Sequence, residues 1–144
     1  WQPVVTKDGY LGRLRSVISD REAWVELLTA SDVALGVEFE RTGLLGILRP
    51  RADAFVVEMV GRDEDVEPGD VLITSGIAEV RRGAGEDGPP AVTPRGFRVG
   101  TVSRVDTPSD QIFKGIEITP AASFDYNETV FVVVPLASGA KGRP

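Results

Sequence analysis

The sequence predicts an all-β protein made of two small, packed antiparallel β-barrels or sandwiches. Three observations carry this expectation: short apolar segments that alternate with a period of two, turn-forming residues between them, and a series of segments that occurs twice.

Taken in order, Pro3–Thr6 and Gly12–Val17 are β-rich segments on either side of Asp8-Gly9, a pair that tolerates tight or left-handed backbone. Val25–Thr29 follows. A helix is the rival reading here, since Leu11, Leu14, Ile18, Val25 and Leu28 can lie along one side of it with Ser19 or Asp20 as an internal cap. Gly12 and the β-branched Val17, Ile18 and Val25 count against it. Trp24, at the centre of the strand alternative, is expected in the core.

The clearest strand is Val33–Glu40. Val33, Leu35, Val37 and Phe39 share one face, while Ala34, Gly36, Glu38 and Glu40 share the other. Thr42-Gly43 makes the next turn. Phe55, Val57 and Met59 then alternate with Val56, Glu58 and Val60. Glu67-Pro68-Gly69-Asp70 and Thr107-Pro108-Ser109-Asp110 mark further joints. Thr129–Val134 is apolar and β-branched, as expected of a strand covered on both faces. The residues read as structural turns are Gly9, Gly12, Gly43, Gly69, Asp70, Gly76 and Gly100. Arg81–Pro94 holds three glycines, three prolines and mixed charge, so an insertion near residues 79–93 is expected as a mobile surface loop.

The repeated series begins with Pro3-Val4-Val5-Thr6, Gly12–Val17 and Val25–Thr29. Its second occurrence is Val71-Leu72-Ile73-Thr74, Gly100–Val105 and Ile116–Thr119. Each series ends in an apolar strand, Val33–Phe39 in the first and Thr129–Val134 in the second. Duplication of a small β unit that buries its open face against its copy explains such a repeat. The expected subdomains are residues 1–69 and 70–136, joined near Pro68-Gly69-Asp70, with a tail at 137–144.

Composition narrows the chemistry. The chain has no Cys, which removes disulfides, thiolate metal sites and thiol nucleophiles. It has no His, which removes the usual proton shuttle near neutral pH. Its 16 basic residues are scattered and the net charge is −6, so a phosphate-tracking stripe is missing and nucleic-acid binding is not expected. No run approaches the roughly 20 apolar residues that span a bilayer. Beginning at Trp1 without a methionine, the chain reads as a fragment, which leaves room for a membrane anchor upstream.

The turn-rich segments, in order, resemble the MreC family of rod shape-determining proteins. The resemblance rests on Pro3-Val4-Val5-Thr6-Lys7-Asp8-Gly9-Tyr10-Leu11-Gly12-Arg13, Arg41-Thr42-Gly43-Leu44-Leu45-Gly46-Ile47-Leu48 and Gly69-Asp70-Val71-Leu72-Ile73-Thr74-Ser75-Gly76. It continues through Pro94-Arg95-Gly96-Phe97-Arg98-Val99-Gly100 and Ile118-Thr119-Pro120-Ala121-Ala122 to Val130–Val134. Family members carry strands, a coiled coil and one membrane helix upstream, so the first β unit is expected to lack strands here. The longer Ile77–Thr93 stretch departs from the family.

The resemblance implies a non-enzymatic scaffold of the bacterial cell-elongation complex, without cofactor or metal, on the periplasmic face of the inner membrane. Its implied partners are MreD, a class B penicillin-binding transpeptidase, a RodA-type glycan polymerase and further copies of itself. Tyr10, Leu11, Leu44 and Leu45, beside glycine turns, are candidate exposed partner anchors; the other reading is that they close the barrel ends. The competing function is a peptidase-like barrel using Ser75 or Ser103 with Lys7 or Lys114. Against it, the hydroxyls of Thr74-Ser75 suit backbone satisfaction at a strand end. Asp63, Glu64 and Asp65 lack the alternating spacing of a calcium loop and read as a solvated turn. A carbohydrate-binding module has weak support, because two Trp, two Tyr and six Phe are spread over the whole chain.

Overall fold

A computed structural model describes residues 2–77 and 93–135. Ten strands occur among them: β1 (Pro3–Val5), β2 (Tyr10–Val17), β3 (Ala23–Leu27), β4 (Leu35–Phe39), β5 (Leu45–Arg51), β6 (Ala54–Glu58), β7 (Val71–Thr74), β8 (Arg98–Asp106), β9 (Gly115–Pro120) and β10 (Phe131–Val132). The described residues contain no helix, so the region from Leu11 to Leu28 takes its strand alternative as β2 and β3. The expected loop near 79–93, apart from Thr93, and the tail 137–144 lie outside the described residues.

All pairings are antiparallel. Strands β4-β5-β6-β9-β8-β7 close a barrel, while β10-β1-β2-β3 form a four-stranded sheet. Period-two alternation explains the barrel core: Leu35, Val37 and Phe39 are fully buried, and Leu48, Val57, Leu72, Val99, Val102, Ile116 and Ile118 meet them inside. Burying each such side chain contributes roughly 1.5–3 kcal/mol. Tyr10 and Leu28, from the other sheet, join the same cluster, so the two units share one core.

The duplication is visible in hydrogen-bond register. Val4 faces Gly12 and Val5 faces Tyr10, with a bulge between; Leu72 faces Gly100 and Ile73 faces Arg98, again with a bulge between. The next ladders repeat the irregularity, at Leu14/Ser16 in β2–β3 and at Val102/Arg104 in β8–β9. Leu28 N donates to Leu11 O and Ala121 N to Val99 O, both at 2.9 Å. Gly12 and Gly100 occupy matching places against the facing strand. A Cβ there would lie 2.0 Å from Glu26 O and 2.3 Å from Thr119 O, so only glycine permits the approach. The structural match sets Val25 against Ile118, two residues from the sequence pairing with Ile116, because the connecting loops differ in length.

Each sheet draws strands from both sequence halves, 1–69 and 70–136. Strand β4, the fourth of the first series, leaves its own sheet and pairs with β7, Phe39 opposite Leu72. Strand β10, the fourth of the second series, returns and pairs with β1, Val132 opposite Val4. The order β10-β1-β2-β3 therefore repeats as β4-β7-β8-β9, with fourth strands exchanged. The hairpin β5-β6 closes the barrel, and it has no counterpart in the other sheet among the described residues.

Two expectations about burial fail, each for a geometric reason. Trp24 is 63% exposed, because the far ends of β2 and β3 project beyond the core and carry Ser16, Val17 and Ala23 into solvent with it. Thr129–Val134, apart from the half-buried Val133, is exposed rather than covered on both faces, since β10 pairs only with β1 at the sheet edge.

Two of the family-like motifs are joined by one ion-pair cluster. Arg41, after β4, donates from Nε to Asp70 Oδ1 at 2.8 Å and from Nη2 to Asp70 Oδ2 at 2.9 Å; its Nη1 reaches Asp65 Oδ2 at 2.7 Å. Asp70 is buried and also accepts from Glu67 N at 2.9 Å across the Pro68-Gly69 turn. Gly69 has φ +92, a left-handed conformation suited to glycine. The hydrogen bonds from Arg41 hold the Asp70 and Asp65 carboxyls below their ordinary range, despite the opposing effect of desolvation. Likewise Arg95, following the insertion, pairs with Glu38 of β4.

Gly12→Ala and Gly100→Ala are each expected to cost about 1–3 kcal/mol by overpacking, read as a lower urea midpoint. Asp70→Ala should cost about 1–3 kcal/mol, because the Glu67 amide loses its acceptor. Because the folded Asp70 value is depressed, its stabilisation is present above the unfolded value of about 3.9 and is lost as pH falls through the lower folded value. The melting temperature should therefore drop below about pH 4, with a shallower drop in Asp70→Asn; equal slopes in both proteins would refute this role.

Candidate interaction surfaces

Of the four candidate anchors, the structure keeps one at the surface. Tyr10 is buried in the barrel cluster and Leu11 in a second cluster with Val4 and Ala122. Both lie in β2 where it crosses the shared core, so proximity to a glycine did not mean exposure. Leu44 is half-buried against the barrel core. Leu45, the first residue of β5, is 48% exposed opposite Glu38. These residues do not converge on one site.

The hydroxyl groups have structural employment. Thr74 Oγ1 donates to Pro94 O at 2.6 Å and accepts from Phe97 N at 3.0 Å, securing both margins of the insertion. Ser75 Oγ accepts from Ile77 N at 3.2 Å, as expected of a strand-end hydroxyl. Ser103 Oγ donates to Glu117 O at 3.2 Å, and Lys114 Nζ donates to Thr107 Oγ1 at 3.2 Å. Lys7 is exposed. The bonds described for Ser75, Ser103 and Lys114 thus run to Ile77, Glu117 and Thr107. Asp65 of the acidic turn is an ion-pair partner of Arg41 rather than merely solvated.

Exposed apolar surface gathers elsewhere, in three places. At the projecting end of β2–β3 stand Val17, Ile18 and Trp24. Near the C-terminal strand stand Tyr126, Val130, Phe131, Val132 and Val134. The third lies on the outer wall of the barrel, where Met59 and Phe113 border a groove of about 560 Å³ floored by Val56, Gly115 and Ile116 and flanked by Arg51, Glu58, Lys114 and Glu117. Ile112, largely exposed, is the neighbour of Phe113.

Met59 owes its position to a backbone irregularity. Val57 pairs with Ile116 and Gly61 with Phe113, so the β6 side carries one more residue than its partner. Met59 absorbs the excess at φ +71, in the region normally left to glycine, and remains 59% exposed. Alternation in sequence places Met59 on the same face as Phe55 and Val57, and the bulge turns it outward. Only Gly61, two residues later, hinted at an irregular ladder.

With this geometry established, the chain can be compared with known proteins. Residues 1–134 match the family model described as rod shape-determining protein MreC, barrel core. Among solved structures, one described as MreC is 27% identical, with a TM-score of 0.78, covering 92% of this chain and 69% of that one. The crystal structure of MreC from Pseudomonas aeruginosa gives the same identity and TM-score, covering 92% and 79%. A complex between penicillin-binding protein PBP2 and MreC from Helicobacter pylori contains a chain 18% identical, with a TM-score of 0.61 over 85% of this chain and 68% of that one; at this identity the likeness is one of fold. No curated protein matches the sequence.

Met59→Gly removes the left-handed strain without disturbing the buried core. Its stability is expected to match the wild type or exceed it by up to about 1 kcal/mol, measured by thermal melting; a loss of more than about 1 kcal/mol would show that the side chain supports the fold.

Proposed function

The chain belongs to the MreC family of rod shape-determining proteins, and we propose that it is a non-enzymatic scaffold that binds and positions a class B penicillin-binding transpeptidase. The observation that carries this reading is the family match over residues 1–134. The Helicobacter pylori complex of PBP2 with MreC, whose fold this chain shares, supports a transpeptidase as partner.

The physical form suits the role. A closed barrel and a second sheet with one common core make a rigid platform, and the exposed apolar groups lie on its outside. A platform of this kind favours one conformation of a bound enzyme only through differential affinity for it. MreD, a RodA-type glycan polymerase and further copies of this chain complete the proposed set of partners, on the periplasmic face of the inner membrane. The first β unit, which lacks a counterpart of β5-β6 among the described residues, is proposed to be completed by additional strands.

Leu45, Met59 and Phe113 are the proposed contact residues on the barrel. Leu45→Asp, Met59→Asp and Phe113→Asp should each retain the fold; at least one should weaken binding to the transpeptidase by tenfold or more, as expected when an apolar anchor is lost. Surface plasmon resonance with the immobilised transpeptidase domain measures this. Unchanged affinity in all three would move the contact to another surface, and no binding by the wild-type chain would refute the proposal.

A further inference from the structure

We infer that β10 is an exchangeable strand, able to leave β1 of its own chain and pair with β1 of a second copy. This deepens, and rests on, the reading that the protein self-associates. The occupant of the β1 edge is indicated by the molecule's own internal symmetry. Strands β4 and β10 hold matching registers on β7 and β1: Phe39 and Glu38 face Leu72 and Ile73, while Val132 and Phe131 face Val4 and Val5. The separation of Ala23 from Phe39 in sequence equals that of Ile116 from Val132, so β3–β4 and β9–β10 have connections of the same length. Within one chain, then, the fourth strand of each unit already completes a unit other than its own.

The two exchanged strands differ in how firmly they are held. Strand β4 is enclosed between β5 and β7, with Leu35, Val37 and Phe39 fully buried. Strand β10 has two residues and one neighbour, and Phe131 and Val132 remain about half exposed at 54% and 43%. One further backbone bond, from Val133 N to Pro3 O at 2.9 Å, extends the pairing. An edge strand so lightly covered opens more readily than a central one.

The connection has a fixed end and a free stretch. Ala122 is buried with Val4 and Leu11, and the Phe124 ring lies 5.6 Å from that of Phe55. Beyond this anchor, residues 125–130 form no regular structure and all but Asn127 are exposed. Six residues reach roughly 20 Å when extended. Because the exchanged pairing makes the same contacts as the closed one, concentration decides between them. A short flexible link gives β10 an effective concentration on the order of millimolar at its own β1, so exchange should appear when copies are crowded to that level. One-way exchange leaves a free donor at one end and a free acceptor at the other, and so propagates.

The absence of cysteine from the chain makes the test direct. Val5→Cys and Phe131→Cys chains, mixed at about 1 mM and then oxidised, should form an intermolecular 5–131 disulfide, identified by peptide mass mapping. Its yield should exceed by at least tenfold that of a Val5→Cys with Ser109→Cys mixture, and should be lost on hundredfold dilution before oxidation. The double variant, oxidised at micromolar concentration to lock β10 onto its own β1, should lose the concentration-dependent mass increase in sedimentation, and reduction should restore it. Should Val5→Cys fail to melt as the wild type does, Pro3→Cys with Val133→Cys repeats the test. Wild-type association without a 5–131 product above background would overturn strand exchange and leave self-association standing. No association of the wild type near 1 mM and no cross-link would overturn both.

Discussion

The pairing of β4 with β7 is the constraint on which this molecule depends. It brings a strand from the first series into the ladder of the second, and with β5-β6 it closes the barrel. Without it, the ladder β4-β5-β6-β9-β8-β7 would stay open, and Leu35, Val37 and Phe39 would have no closed interior to enter. Backbone ladders and apolar burial are satisfied together here, as a closed antiparallel barrel requires. The reciprocal pairing of β10 with β1 repeats the register but not the enclosure.

That asymmetry has consequences for stability and for function. The barrel has no free edge, whereas the sheet β10-β1-β2-β3 ends on both sides without a partner among the described residues. Unpaired edges and exposed apolar groups are liabilities in an isolated domain and resources in an assembly protein. Trp24, Val17 and Ile18 at one end and Phe131 and Val132 at the other concentrate such groups on this sheet. Two cations serve as fasteners: Arg41 ties the turn after β4 to the turn before β7 through Asp70, and Arg95 ties the far margin of the insertion to Glu38. The motifs that hold Arg41 and Asp70, separate in sequence, are therefore fastened to each other.

Several hydroxyl groups and one ammonium group among the described residues are engaged within the protein. Thr74, Ser75 and Ser103 bond to backbone groups, and Lys114 bonds to Thr107. Met59 shows the opposite economy: a strained backbone presents an apolar side chain to solvent where glycine would be easier. Closeness to a glycine turn does not bring exposure, since Tyr10 and Leu11 are buried.

Sequence alone determined the all-β class, the position of the barrel strand at Leu35–Phe39, the duplicated order of segments and the hydroxyl role of Thr74-Ser75. Each of these follows from local rules: side chains alternate along a strand, turns need particular residues, and a short hydroxyl bonds nearby backbone. Tertiary structure decided which strand pairs with which. Val33–Glu40 and Thr129–Val134 have the same apolar character, yet one is enclosed and the other lies on an edge, because pairing partners are set by packing between distant segments and leave no mark in local periodicity. Trp24 was expected in the core and is exposed, and Met59 faces outward, for related reasons: the length by which a ribbon overhangs the core and the extra residue in a bulge determine which way a side chain faces, and neither is a property of the residue itself.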